Sequence, residues 1–266
     1  MSRKRLDILL DGMTTQAAVL KALCLRELQH RFGRSNIGYL WVIAEPMLLA
    51  SVVTMLHSVV VSHGGDGGFS PYTFMLTGYS IYIIFRNTFN RAEGALNAAA
   101  PLLFHRMITP FDIMLSKAVI ETLGCLSALV FLQTAGIILG IADVPARPLA
   151  LLGAVFLYAW WTFGLSLLVA AYTYEGHFIG RLVHPASYFA LPLSGAFITM
   201  TLLPAWTRPY MEWNPMMSVF EMARYGQFEG ASDTYVHTGY VVAVAAFTFY
   251  WGLLAIRRVR QHIHAH

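Results

Sequence analysis

Arg26, His30 and Arg34 recur at every fourth residue of "RELQHRFGRSNIGYLWVIAEP", residues 26–46. On a helix this spacing lines three basic groups along one face. Their chemistry is recognition rather than bond-making: a guanidinium pairs with carboxylate or phosphate through a two-pronged fork and keeps its charge throughout. Arg31 adds another cation, and Glu27 stands four residues before it, at pairing distance on a helix. Leu25, Leu28, Gln29 and Phe32 fall on a different face at i, i+3, i+4 and i+7, so a helix over Ala22 to Arg34 is amphipathic. Such a helix lies in the headgroup plane, basic side toward anionic groups. Tyr39 and Trp41 follow at interfacial depth.

The same stretch then places Glu45 and Pro46 together inside an apolar run. Proline frees a backbone carbonyl and kinks a helix. A carboxylate at that depth must be paired or wet, and such residues often mark pathways. Two readings of Glu45 stand side by side: a structural ion pair with Arg86 or Arg91, or a place on a pathway.

A second constellation is Tyr79, Tyr82 and Phe85 at i, i+3 and i+6, followed by Arg86 and Arg91. Aromatic faces stack on pyranose rings, and Arg pairs with acidic substituents. Plain helix packing uses the same aromatic residues, and Arg91 is placed to snorkel to an interface. A third is "NAAAPLLFHR", Asn97 to Arg106, where small residues precede Pro101 and the cluster Leu102, Leu103 and Phe104, with His105 next. This reads as a short helix carrying an exposed apolar knob that wants a partner, with an interfacial anchor as the alternative. Lys117 with Glu121, and Glu221 with Arg224, are spaced for ion pairs within a helix and read as structural.

The elements that carry these residues are membrane helices. The chain has 266 residues, of which 57% are hydrophobic and 12% charged, against about 25% charged in an average soluble domain. Six apolar runs approach the roughly 20 residues needed to cross a bilayer: residues 39–61, 72–89, 113–139, 149–172, 187–203 and 240–256. The fifth is short. Behind it comes "LPAWTRPYMEWNPMMSVFEMARYGQFEG", with three prolines and two tryptophans, too apolar for a free loop and too broken for a span. Short re-entrant helices fit, because backbone at that depth must pair internally or face water. Fifteen of the eighteen Lys and Arg residues fall on one side of this arrangement, so both termini are expected in the cytoplasm. That leaves Trp206, Arg208, Trp213, Glu221 and Arg224 at the external mouth, and "SHGGDGGFSP" as an external turn.

The fold expected is therefore all-α and integral to the membrane, as one unit over residues 1–266. It comprises a cytoplasmic and interfacial segment (1–36), a six-span core (37–256) and a cytoplasmic tail (257–266). The N-terminal stretch has basic residues but no apolar core or cleavage site of a secretory signal. Two cysteines at different depths give no disulfide framework, and no metal-ligand spacing appears. There is no G-x-x-x-x-G-K-[ST] loop, no H-E-x-x-H and no G-x-S-x-G. His177 and His184 are too weakly patterned to be called catalytic, and the tail "HIHAH" reads as solvated.

Three segments carry a family resemblance: "LRELQHRFGRSNIGYLWVIAEP", "MITPFDIMLSKAVIETL" and "EWNPMMSVFEMARYGQF". They resemble the membrane subunit of bacterial ABC-2-type polysaccharide exporters, nearest the group 2 capsular branch. The combination of "RFG", "GYLW" and "EP" is the most specific part. The resemblance implies a non-enzymatic permease, a homodimer of six-span subunits in the bacterial inner membrane. It implies a separate ABC ATPase that binds ATP and Mg in place of the missing loop, with no cofactor on this chain. It implies that residues 97–106 are the coupling helix seated in that ATPase, and that the basic N-terminal helix borders a channel at the dimer interface. It implies a lipid-linked, often acidic polysaccharide as cargo, a periplasmic co-polymerase and an outer-membrane export protein as further partners, and no nucleic acid. O-antigen, teichoic acid or a small drug would be other cargoes for such an exporter. A membrane-embedded glycosyl or acyl transferase would need a convergent acid–base site, and a channel or scaffold would need no ATPase.

Overall fold

The computed structural model describes residues 3–32, 36–61, 69–103 and 107–263. Among these the regular structure is helical, without strands. In chain order the helices are α1 (Arg3–Phe32), α2 (Asn36–Val61), α3 (Pro71–Asn90), α4 (Ala95–Ala98), α5 (Ala100–Leu103), α6 (Pro110–Ile138), α7 (Pro148–Glu175), α8 (His177–Ser194), α9 (Arg208–Met211), α10 (Pro215–Gln227) and α11 (Thr238–Ile263). By length and composition α6, α7 and α11 are apolar enough to cross a membrane, and α2 holds a shorter apolar stretch, Ile43–Leu56.

Local sequence explains where the helices begin. Proline opens α3, α6, α7 and α10, where its missing N–H costs nothing. Side chains cap three of these starts. Ser70 accepts from the Thr73 N–H, Asn214 from the Met216 N–H, and Thr109 forms a reciprocal capping box with Asp112.

From α3 onward the long helices alternate direction, so the bundle has two recognisable ends. At one, the end of α3, the start of α6 and the ends of α7 and α11 meet around Ala92, Leu96, Met114, Ala170, Ile256 and Val259. At the other, Ser70 Oγ donates to the Ile141 carbonyl, the Arg147 N–H donates to Gly226, and Phe69 stacks on Phe228. Between them lies a core where Phe85 contacts Phe89 and Trp161, and Tyr158 contacts Phe220 edge-on. The α7–α11 contact depends on small residues. A Cβ on Gly164 would sit 2.7 Å from the Phe249 nitrogen, and one on Gly252 2.8 Å from the Gly164 oxygen. Close backbone approach is how helices associate where lipid supplies little hydrophobic drive.

Two boundaries differ from the sequence reading. The first helix is 30 residues long rather than confined to 22–34. The fifth apolar run, expected at 187–203, corresponds to α8, which starts at His177 and ends at Ser194. His177, Arg181 and His184 in its first half lower the hydropathy there and hid the start of the helix. Gly195, at φ +85°, then turns the chain out of the helix, and only a single 3₁₀ turn at Met200–Leu202 follows.

Candidate functional site: a charged ladder and an exposed Arg–Tyr pair

Charged groups tie α1 and α2 to α3 and α6. Arg91 Nε lies 2.8 Å from Glu121, and Arg91 Nη2 reaches to 3.9 Å from Glu45. Asn87 Nδ2 donates to the second Glu121 oxygen at 3.0 Å. One turn along α6, Lys117 Nζ meets Glu27 of α1 at 2.8 Å. Of the two arginines considered for Glu45, the structure selects Arg91. It also corrects a pairing, because Lys117 and Glu121 do not bind each other but reach in different directions to other helices. Helical spacing brings two groups near, yet a tertiary partner with better geometry takes each.

The sides of α1 differ in burial. Leu23 and Glu27 are buried, Leu28 is half-buried, and Leu25 and Gln29 are exposed. The helix meets α6 through the Leu23–Glu27 side, where Glu27 pairs with Lys117 and the Cys24 thiol reaches the Ser116 carbonyl. Arg26 and His30 are exposed, as is Trp41. The side chains of Arg31, Phe32, Arg34 and Tyr39 lie outside the described residues. Arg26 shares a cavity of about 410 Å³ with Val19, Leu23, Leu102, Met107 and Ile108, which brings the basic helix and the 97–106 segment together.

Just before that segment Gly94, at φ +62°, turns the chain from α3 into α4. Asn97 and Pro101 are exposed and Leu102 is half-buried. Leu103 is not part of an exposed knob: it is buried against Ala99 and Ile113. Its register on a single helical turn points it at the bundle while Pro101 faces out. Phe104, His105 and Arg106 lie outside the described residues. The preceding turn is fixed to the rest of the bundle, with Glu93 3.3 Å from His184 and the Gly94 N–H on Thr173 Oγ1.

Tyr79, Tyr82 and Phe85 are buried, which corrects their reading as an open sugar-stacking ladder. Tyr79 stacks on Phe197, Tyr82 donates to the Ser187 carbonyl, and Phe85 lies among Phe89, Tyr158 and Trp161. Arg86 is different. Its Nη2 donates to the Tyr188 hydroxyl at 2.7 Å, and its guanidinium carbon stands 4.6 Å from the Tyr188 ring centre, at an exposed site. Sequence reasoning missed Tyr188. The signal available was its place seven residues after Arg181 and four after His184.

At the other end, Glu221 and Arg224 pair at 2.9 Å, as their spacing suggests, and both are buried. The Met200 N–H donates to Glu221, Arg224 Nη2 donates to the Gly195 carbonyl, and the guanidinium lies over Phe74. The pair thus holds the irregular 195–203 segment by its backbone. Arg208 donates to the Leu203 and Thr201 carbonyls, and Trp206 and Trp213 are 75% and 73% exposed.

Residues 18–228 match the family described as ABC-2 type transporter. The chain is 31% identical, over 96% of both lengths, to the capsule polysaccharide export inner-membrane protein CtrC of Neisseria meningitidis serogroup A. It is 30% identical to BexB of Haemophilus influenzae, which bears the same description, over 95% of both. It is 27% identical to the polysialic acid transport protein KpsM of Escherichia coli, over 94% of this chain and 96% of that one. With a family match over most of its length and relatives aligned nearly end to end, this helical membrane protein belongs to the ABC-2 type transporter family.

Proposed function

We propose that the chain is the membrane-spanning subunit of an ATP-driven exporter that carries capsular polysaccharide, on a lipid anchor, out through the bacterial inner membrane. The observation that carries this reading is nearly full-length similarity to inner-membrane proteins named for capsule polysaccharide export in two organisms. The missing phosphate-binding loop supports a separate ABC ATPase as the source of energy, using ATP and Mg. Six spans with both termini in the cytoplasm follow from the distribution of Lys and Arg, with α2, α3, α6, α7, α8 and α11 as the spans. The α9–α10 region then forms the re-entrant external mouth. A homodimer supplies a channel between copies. A periplasmic co-polymerase and an outer-membrane export protein take the polymer onward.

In this reading the basic helix receives the anionic end of the cargo at headgroup level, and the kinked α2 lets the gate open. The ladder through Glu45, Arg91, Glu121, Lys117 and Glu27 transmits movement between that gate and residues 97–106, which meet the ATPase. Changing Arg26, Arg31 and Arg34 together to Glu should abolish export while the ATPase still co-purifies. Deleting the chain and locating the polymer by fractionation and microscopy tests the whole reading. Polymer held in the cytoplasm is the expected result. A normal surface coat would overturn the cargo assignment, and loss of polymer synthesis would point to an enzyme or scaffold.

A further inference from the structure

Helix α8 buries only one narrow stripe: Gly180, Val183, Ser187 and Ser194. Phe178, Leu182, Phe189 and Leu193 form an exposed apolar stripe that acyl chains can cover. Between the two lies an edge of another kind. Arg181, His184 and Tyr188 recur there at i, i+3 and i+7, all exposed, and Arg86 of α3 joins them through Tyr188.

Lipid is a poor neighbour for this edge. Arg86 stands four residues from the end of α3, or about 6 Å along the axis. A guanidinium so placed normally snorkels to the headgroups. This one is held sideways instead, bonded to the Tyr188 hydroxyl and lying over its ring. Facing hydrocarbon it would be costly, and charged groups within spans face water-filled paths or protein. A guanidinium has five N–H donors in a fixed fork, so one bond to Tyr188 orients it without exhausting it. Tyr188 is 59% exposed and presents ring surface beside the charge.

The geometry points to the α3–α8 edge, centred on Arg86 and Tyr188 with Arg181 along it, as a wet track that contacts acidic polysaccharide in transit. This rests on the export reading above. Arg86 takes the carboxylate or phosphate of an acidic sugar unit, and Tyr188 offers its ring to the apolar pyranose face. His184 is held by Glu93, so the same edge reaches the turn that leads into the 97–106 segment.

Two measurements test the track. In a Cys24→Ser, Cys125→Ala background, Tyr188→Cys and Phe189→Cys are exposed in inverted membrane vesicles to sulfonatoethyl methanethiosulfonate, an anionic reagent that does not cross lipid. Position 188 should react faster than 189, and more slowly in vesicles from cells making polymer than from cells making none. Equal or absent labelling at both positions would overturn the proposal. In whole cells, Arg86→Gln and Tyr188→Ala should each lower surface polymer by about tenfold or more, the equivalent of one charge-assisted contact. Arg86→Lys should recover most of it, with membrane abundance and ATPase co-purification unchanged throughout. Wild-type coat in both loss variants, beside loss of coat on deleting the chain, would overturn the track alone. A coat unaffected by deletion would overturn the export reading and the track with it. Failure of Arg86→Lys to rescue, with lowered abundance, would assign the pair to helix packing and also overturn it.

Discussion

Replacing Arg224 with Met should loosen the end of the bundle around Gly195 and Arg224 by a predictable amount. Arg224 makes three contacts at once: an ion pair with Glu221 at 2.9 Å, a hydrogen bond to the Gly195 carbonyl, and a stack on Phe74 at 4.5 Å. Both charged residues are buried, at 5% and 8% exposure. Methionine keeps much of the volume and the contact with Phe74, but leaves the Glu221 carboxylate without its cation, with the Met200 N–H as a remaining donor. Breaking one side of a buried pair costs about 3–5 kcal/mol, because a charge is left uncompensated. At about 2–4 °C per kcal/mol for a chain of this size class, the midpoint should fall by about 6–20 °C. The assay is thermal unfolding of purified protein in detergent, followed by Trp fluorescence, since Trp206 and Trp213 follow directly on the affected segment. A double variant, Glu221→Gln with Arg224→Met, removes the orphaned charge and should regain most of the loss. A midpoint within about 2 °C of wild type for Arg224→Met, or a double variant worse than the single, would refute the reasoning.

Three further outcomes follow from the geometry. Arg91→Gln should destabilise by about 3 kcal/mol or more because Glu121 is buried, whereas Glu45→Gln should cost less than about 1 kcal/mol, its contact being long and partly exposed; comparing their unfolding midpoints checks the difference. Gly164→Val should disrupt the α7–α11 contact, since even a Cβ would meet the Phe249 backbone at 2.7 Å; a loss of folded protein on size-exclusion chromatography is expected, and a normal profile would contradict it. Burial, and secondarily the charge of Glu27, raise the Cys24 thiol above its ordinary value, so less thiolate is present at any neutral pH. Its maleimide labelling should be slower than that of a free cysteine, rise only at higher pH, and speed up in Glu27→Gln; a rate equal to free cysteine at neutral pH would contradict this.

The sequence made some features plain and concealed others for definable reasons. Helix starts carry a local signal that hydropathy passes over, since proline and a capping side chain sit together at Thr109-Pro110 and Asn214-Pro215. The Glu221–Arg224 pair was legible because both partners lie within one turn. Lys117 and Glu121 were equally well spaced, yet each found a partner on a different helix, and local spacing carries no information about that. Tyr79, Tyr82 and Phe85 share a type and period with both a binding ladder and a core stripe, and only the packing of α7 and α8 over them decides between the two. Tyr188 went unnoticed because its importance comes from Arg86, 102 residues away in sequence. Helix α8 was misplaced because His177, Arg181 and His184 in its first half depress hydropathy where the helix is nevertheless regular.

The central claim is directional, ATP-dependent movement of polysaccharide by this chain with its ATPase. Inverted membrane vesicles holding both proteins, loaded on the outside with radiolabelled lipid-linked polymer and then treated with a depolymerase, measure it directly. Label should become protected only when ATP and Mg are added and this chain is present, and protection should be lost in the Arg26, Arg31 and Arg34 to Glu variant. Protection that is equal without ATP, or equal in vesicles lacking the chain, would contradict it.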